Sequence, residues 1–136
     1  VEDGLAVSAG SWYSPSAVDT TDFGFYISPR PDIELEKAEQ ALRAEIEELL
    51  SEGVSEQEVA NAIDRLRADA VYAQDNVNTA PRVIGRALAT GRSVADVEAW
   101  PKRISEVTPA QVEAAAKQVL KPASSVTAVL KPEPTS

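Results

Sequence analysis

The sequence predicts an α+β protein: a small antiparallel sheet with helices packed on one face. Three observations lead there. Period-two alternation marks both ends of the chain, period-3.6 apolar stripes fill the middle, and turn or cap residues stand at nearly every change of period. At 136 residues the chain is the size of one domain.

The first predicted strand spans about 4–14, where Leu5, Val7, Ala9, Ser11 and Tyr13 alternate with Ala6, Ser8, Gly10 and Trp12. Turn residues follow at Ser14-Pro15-Ser16 and at Asp19-Thr20-Thr21-Asp22. A second strand is expected over about 22–28, with Phe23, Phe25 and Ile27 on one side. Pro29-Arg30-Pro31 stops it, because proline offers no ladder N–H.

From about 33 to 52 Leu35, Ala38, Leu42, Ile46 and Leu49 form one stripe on an otherwise charged helix. Gly53 ends it, and Ser55-Glu56-Gln57-Glu58 has the form of a capping box opening a helix over about 55–78, with Val59, Ile63, Leu66, Ala70 and Ala73 as its stripe. Pro81 breaks or kinks the chain before a helical piece at about 80–90 that closes at Gly91. A short helix at about 93–100 starts at Ser93-Val94-Ala95-Asp96 and is interrupted by Pro101, with Trp100, Ile104 and Val107 as its buried side chains. Thr108-Pro109-Ala110-Gln111 starts a helix over about 109–120, with a cap, a proline at the first helical position and Gln three residues after the cap. Lys121-Pro122 closes it, and alternation returns through Val126, Ala128 and Leu130, predicting a third strand over about 125–131. Three strands make a thin sheet for this much amphipathic helix, so the chain is expected to be the carboxy-terminal part of a larger unit whose other strands lie upstream.

Composition excludes whole classes of chemistry. There is no His and no Cys, which removes the Ser-His-Asp triad, the thiolate nucleophile, the disulfide and every His- or Cys-ligated zinc site. No Gly-x-Ser-x-Gly elbow, Ser-x-x-Lys pair or glycine-rich phosphate loop occurs. A net charge of −9 disfavours nucleic acid. Between Glu34 and Asp69 eleven acidic residues face four basic ones, which reads as a solvated helix face or as a docking patch for cations. No apolar run reaches the roughly 18–20 residues of a membrane span. The amino terminus lacks the features of a secretory signal, which either was never made or lay upstream.

Few side chains remain as candidates. Tyr72, Asp75, Asn76 and Asn78 offer oxygen ligands to a hard cation but lack the spacing and central Gly of a calcium loop; polar decoration of a helix end is the ordinary reading. Asp19 and Asp22 flank a turn, where Asp is common for its side-chain-to-backbone hydrogen bonds, and are only formally a pair of acids. Trp12 and Tyr13 on a strand edge could receive an extended peptide by strand addition, or simply pack. Trp100 beside Pro101 is expected to be a core or lid residue. No catalytic and no metal-binding residue is assigned, and no substrate-binding residue is singled out.

The stretches EDGLAVSAGSWYS, FGFYISPRPDIELEKAEQAL, EGVSEQEVANAIDRLRADAVYAQDN and ALATGRSVADVEAWPKRISEVTPAQVEAAAKQVLKPASSVTAVLKP, in that order and spacing, resemble the carboxy-terminal lobe of M16 metallopeptidases, the insulinase, pitrilysin and processing-peptidase group. The pieces that carry the likeness are Gly4-Leu5-Ala6 entering a strand, the EGVSEQEV helix start, the Thr90-Gly91 step, and Val107-Thr108 opening the last helix before Ser125-Val126-Thr127. The resemblance implies a LuxS/MPP-like metallohydrolase fold, duplicated into lobes that close around an unfolded peptide. It places zinc in the amino-terminal lobe or a partner subunit, on a His-x-x-Glu-His helix and a later Glu, so this fragment is expected to hold no cofactor and to be inactive alone. Active members add an Arg and a Tyr seven apart at the opening strand. Here the tyrosine position falls on Val7, and the arginine position would lie one residue before Val1. The expected role is therefore the far wall of a peptide-binding chamber in a zinc-dependent metalloendopeptidase, whose acidic balance favours basic peptides. The alternative is a lobe of a catalytically inactive M16-like subunit that serves as a pairing partner. Expected partners are the catalytic lobe and an unfolded peptide, without nucleic acid, and either a periplasmic or a cytoplasmic bacterial setting is compatible with the sequence.

Overall fold

A computed structural model of the chain describes residues 4–74 and 77–131. Two strands, β1 (Ala6–Tyr13) and β2 (Phe23–Pro29), pair antiparallel as a hairpin. They are followed by α1 (Leu35–Glu52), α2 (Glu56–Gln74), α3 (Thr79–Ala89), α4 (Val94–Glu98), α5 (Trp100–Ser105) and α6 (Pro109–Val119), then a 3-10 turn at Pro122–Ser124. The α+β architecture expected from the sequence is therefore present.

The hairpin register runs from Tyr13 opposite Phe23 to Ser8 opposite Ser28, and then breaks: Ala6 stands opposite Pro29, leaving Val7 without a partner. This is a β-bulge, one extra residue on β1. Directly opposed residues share a face. The inner face thus carries Ala6, Ala9, Ser11 and Tyr13 with Pro29, Ile27, Phe25 and Phe23, and the outer face carries Ser8, Gly10 and Trp12 with Ser28, Tyr26 and Gly24. Unbroken alternation had grouped Val7 with Ala9. The bulge instead puts Ala6 on that face and buries it, while Val7 is 65% exposed.

Helix α1 packs on β2 and α6 packs on α1, while α2 touches α3 and α5. The α1 stripe lies where predicted: Ala38 is fully buried, and Leu35, Leu42, Ile46 and Leu49 are half-buried. Gly53 terminates α1 with φ 80 and ψ −155, its N–H donating to the Leu49 carbonyl at 3.1 Å. Only glycine adopts that backbone region readily.

Cap residues placed the later helices correctly. Ser55 and Glu58 form the reciprocal pair at the start of α2, Glu58 N–H to Ser55 Oγ at 3.2 Å and Ser55 N–H to Glu58 Oε2 at 2.8 Å. Ser93 with Asp96 and Thr108 with Gln111 do the same for α4 and α6. The prolines take a different place from the one expected. Pro81 sits in the first turn of α3, and Pro101 in the first turn of α5, so helix continues beyond Pro101 to Ser105. The reason is local: first-turn N–H groups have no intrahelical acceptor, so losing one costs little there.

One predicted strand is absent. Among the described residues 125–131 have no ladder partner, and the sheet has the order β1-β2. Alternation defines two faces, but a strand also needs a neighbouring backbone to bond. Here the segment is tied to α1 instead: Arg43 Nη2 donates to Thr127 Oγ1 at 3.0 Å, and Lys131 Nζ lies 3.9 Å from Glu36 Oε1.

A Cβ at Gly53 would collide with the Glu113 carboxylate of α6, and an L side chain would be strained at that φ in any case. Gly53→Ala should cost about 1–3 kcal/mol, read as a lower urea midpoint at unchanged m-value. The capping carboxylates set an acid limit. Glu58 is held below the ordinary Glu range by the hydrogen bonds from the Ser55 side chain and backbone, and Asp96 below the Asp range by those from the Ser93 backbone and side chain. A lowered folded value means stability that is complete above the unfolded range of about pH 4 and is lost as pH falls through the folded value. Glu58→Gln keeps the capping geometry without a titrating group. It should flatten the fall of the urea midpoint between about pH 5 and 3.

Candidate functional site

The aromatic side chains singled out on the hairpin divide between its two faces. Trp12 lies directly opposite Gly24, and its indole covers that glycine so closely that a Cβ there would overlap the ring. Tyr26 lies opposite Gly10 in the same way, its ring atoms 2.8–2.9 Å from where a Cβ would stand. Two aromatics thus fold flat over two cross-strand glycines on the outer face, a pairing that fills the glycine gap and holds the register. Trp12 is 53% exposed and Tyr26 51%. Tyr13 belongs to the inner face, in a short aromatic row: 6.2 Å between the Tyr13 and Phe23 ring centroids, 5.1 Å and edge-on between Phe23 and Phe25. Tyr26 and the two glycines were not singled out from sequence, although the matched spacing of Gly10/Trp12 and Gly24/Tyr26 carries the signal.

The candidate acids do not make a site. Asp19 and Asp22 are exposed on the loop between the strands, and Asp19 Oδ1 accepts from the Thr20 N–H at 2.7 Å, the turn role expected of it. Tyr72 is exposed near the end of α2, and Asn78 stands at the N-cap of α3 without a side-chain cap bond; Asp75 and Asn76 lie outside the described residues. Among the described residues no group of three or more His, Cys, Asp or Glu could hold a metal ion, and no helix is long and apolar enough to cross a membrane. Trp100 is half-buried at the start of α5, as are Ile104 and Val107.

A second feature escaped the sequence reading. An apolar cleft of about 390 Å³ opens between α2, α5 and α6, lined by Val59, Ile63, Leu66, Ile104, Val107 and Val112. Val59, Ile63, Leu66, Ile104 and Val107 were each expected on an apolar stripe or buried, whereas Val112 was not singled out, and spacing alone did not show that the helices leave a gap between them. The chemistry available at both features is apolar contact and backbone pairing along a free strand edge.

Residues 1–66, a little under half of the chain, match the family model described as the peptidase M16 inactive domain. The crystal structure of a candidate zinc protease from Bordetella pertussis Tohama I has a TM-score of 0.74 to this chain at 21% identity. Match and fold together support a carboxy-terminal lobe of an M16-family protein. The alignment covers 90% of this chain and 67% of the Bordetella chain, and at that identity the likeness is one of fold. No curated protein matches. Within the M16 match lie the hairpin, α1 and the first half of α2, so the family signal coincides with the packed sheet–helix contact.

The glycine–aromatic pairing is testable. Gly24→Val drives a side chain into the Trp12 indole. In a Trp100→Phe background it should displace Trp12, shifting its emission maximum to the red, and destabilise by about 1–3 kcal/mol.

Proposed function

We propose that this chain is the non-catalytic carboxy-terminal lobe of a zinc-dependent M16 metalloendopeptidase that acts on unfolded peptides, and that it forms the far wall of the peptide chamber. The observation that carries the reading is the match to the inactive domain in a chain with neither His nor Cys. The donor set does not fit a zinc centre: imidazole and thiolate are missing, and the described carboxylates do not cluster. The zinc of the parent then belongs to the catalytic lobe, in the same polypeptide or in a partner subunit. This lobe contributes shape, an acidic wall with eleven carboxylates between Glu34 and Asp69, and a strand edge whose backbone groups can pair with an extended peptide.

One observation favours a second reading, a lobe of an inactive M16-like subunit that serves as a pairing partner. Val7, at the position where the resemblance expects a tyrosine, is an unpaired bulge residue and offers no hydroxyl to a substrate carbonyl.

The two readings part in one assay. The parent protein, with its catalytic lobe, should hydrolyse an unstructured basic peptide, lose that activity to a zinc chelator and regain it with zinc, while the 136-residue chain alone cleaves nothing. Peptide affinity should fall as salt rises from 0.05 to about 0.5 M, because screening weakens the acidic wall. A parent that stays silent with zinc yet co-purifies with an active M16 subunit would establish the second reading instead.

A further inference from the structure

The cleft between α2, α5 and α6 has a chemistry that the chamber-wall reading does not use. Val59, Ile63 and Leu66 stand at i, i+4 and i+7 on α2, a wall of two turns or about 10 Å. Ile104, Val107 and Val112 form the other side. Leu66 is 42% exposed, and Ile63, Ile104, Val107 and Val112 are half-buried, so both walls stand open to solvent.

Negative charge gathers at one end of it. Glu58 lines the cleft, and its Oε2 accepts from the Ser55 hydroxyl at 2.7 Å and the Ser55 N–H at 2.8 Å, which fixes the carboxylate in place and holds it below the ordinary Glu range. The Glu113 carboxylate lies against Gly53, next to the lining residues Val54 and Val112. Lys117 comes within 3.9 Å of Glu113, but no Lys or Arg lines the cleft, and among the described residues no ion pair engages Glu58.

These walls decide what can sit between them. A small-molecule site orients its ligand with several converging polar groups, and this cleft has one, Glu58. An extended peptide would lay unpaired N–H and C=O groups against apolar side chains. A helix satisfies its own backbone and needs only an apolar stripe to offer. We propose that the cleft receives an amphipathic helix of another protein, about three turns long, with apolar side chains at i, i+4 and i+7 seated against the α2 wall and a Lys or Arg on its flank beside Glu58 and Glu113. The seat binds this helix and does no chemistry on it. The inference rests on the shape and charge of the cleft, and not on any proteolytic role.

The probe is a labelled synthetic helix of about three turns, with Leu along one stripe and Lys on both flanks. It is titrated by fluorescence anisotropy into the parent protein in the presence of a zinc chelator, and it should bind and become helical as it does. Ala62→Phe plugs the cleft from α2 and should weaken binding by about 10-fold or more. Glu58→Gln keeps the α2 cap and should weaken it about 2- to 5-fold at about 0.05 M salt and no longer at about 0.5 M. Should Ala62→Phe not fold, Leu66→Lys sets a cation against the Lys flanks of the probe, with the same loss expected. A scrambled peptide of equal charge, and the same helix with Glu in place of Lys, should each bind about 10-fold more weakly or worse. Equal binding of either control, an affinity indifferent to the cleft variants, or no binding because a second copy or another part of the parent fills the cleft would each overturn the proposal. With zinc chelated, peptidase activity enters none of these readouts, so this inference and the protease reading can fail separately.

Discussion

The structure hangs on the seating of α1 against the inner face of β2. Ala38, with no exposed surface, lies on the apolar stripe of α1, and Leu35, Leu42, Ile46 and Leu49 continue that half-buried stripe along the helix. A small residue at the centre of such a contact lets backbones come near, and larger ones on either side exclude water. Much else is referred to this joint. Helix α6 reaches the hairpin by way of α1, Gly53 brings the end of α1 under Glu113 of α6, and Arg43 on the outward side of α1 holds Thr127. Among the described residues the ion pairs lie at the surface and add little by comparison, typically below about 1 kcal/mol each.

Much of this architecture was legible because its signals are local. The α1 stripe, the exit at Gly53 and the boxes at Ser55, Ser93 and Thr108 each depend on residues within a turn or two, and all appeared at their predicted places. Errors arose where one residue type has two meanings. Pro101 was read as interrupting one short helix, and the interruption is there between α4 and α5, but a proline in a first helical turn removes only an N–H that had no acceptor, so a new helix runs on to Ser105. Val7 was read as part of a regular alternation, because a bulge is a property of two paired strands and one strand does not announce it.

The candidate site was less legible than the fold, for a physical reason. Catalytic and metal sites announce themselves through residue types, and the absence of His and Cys could be read at once. A surface that acts by shape and backbone pairing uses alanine, valine and glycine, which are common everywhere. The aromatic-on-glycine pairs emerged only when the register put Trp12 opposite Gly24 and Tyr26 opposite Gly10, and the cleft only when α5 and α6 were set beside α2. For a chain whose residues 1–66 match a domain described as inactive, that is the expected distribution of information: His- and Cys-dependent chemistry is excluded by composition, and the contact surface is defined by topology.

The opening strand has a cost of its own. From Ala6 to Tyr13 it contains no charge and no proline, two of the devices by which natural sheets guard a bare margin against self-association, and the bulge at Val7 is the device it does carry. With its register pinned by Trp12 and Tyr26, the stretch beyond the bulge, from Ser8 to Tyr13, offers an uncharged backbone template in one fixed register. An uncharged margin of this kind is open to pairing with a second extended backbone, so the concentration at which the newly made chain folds bears on how much of it stays unassociated.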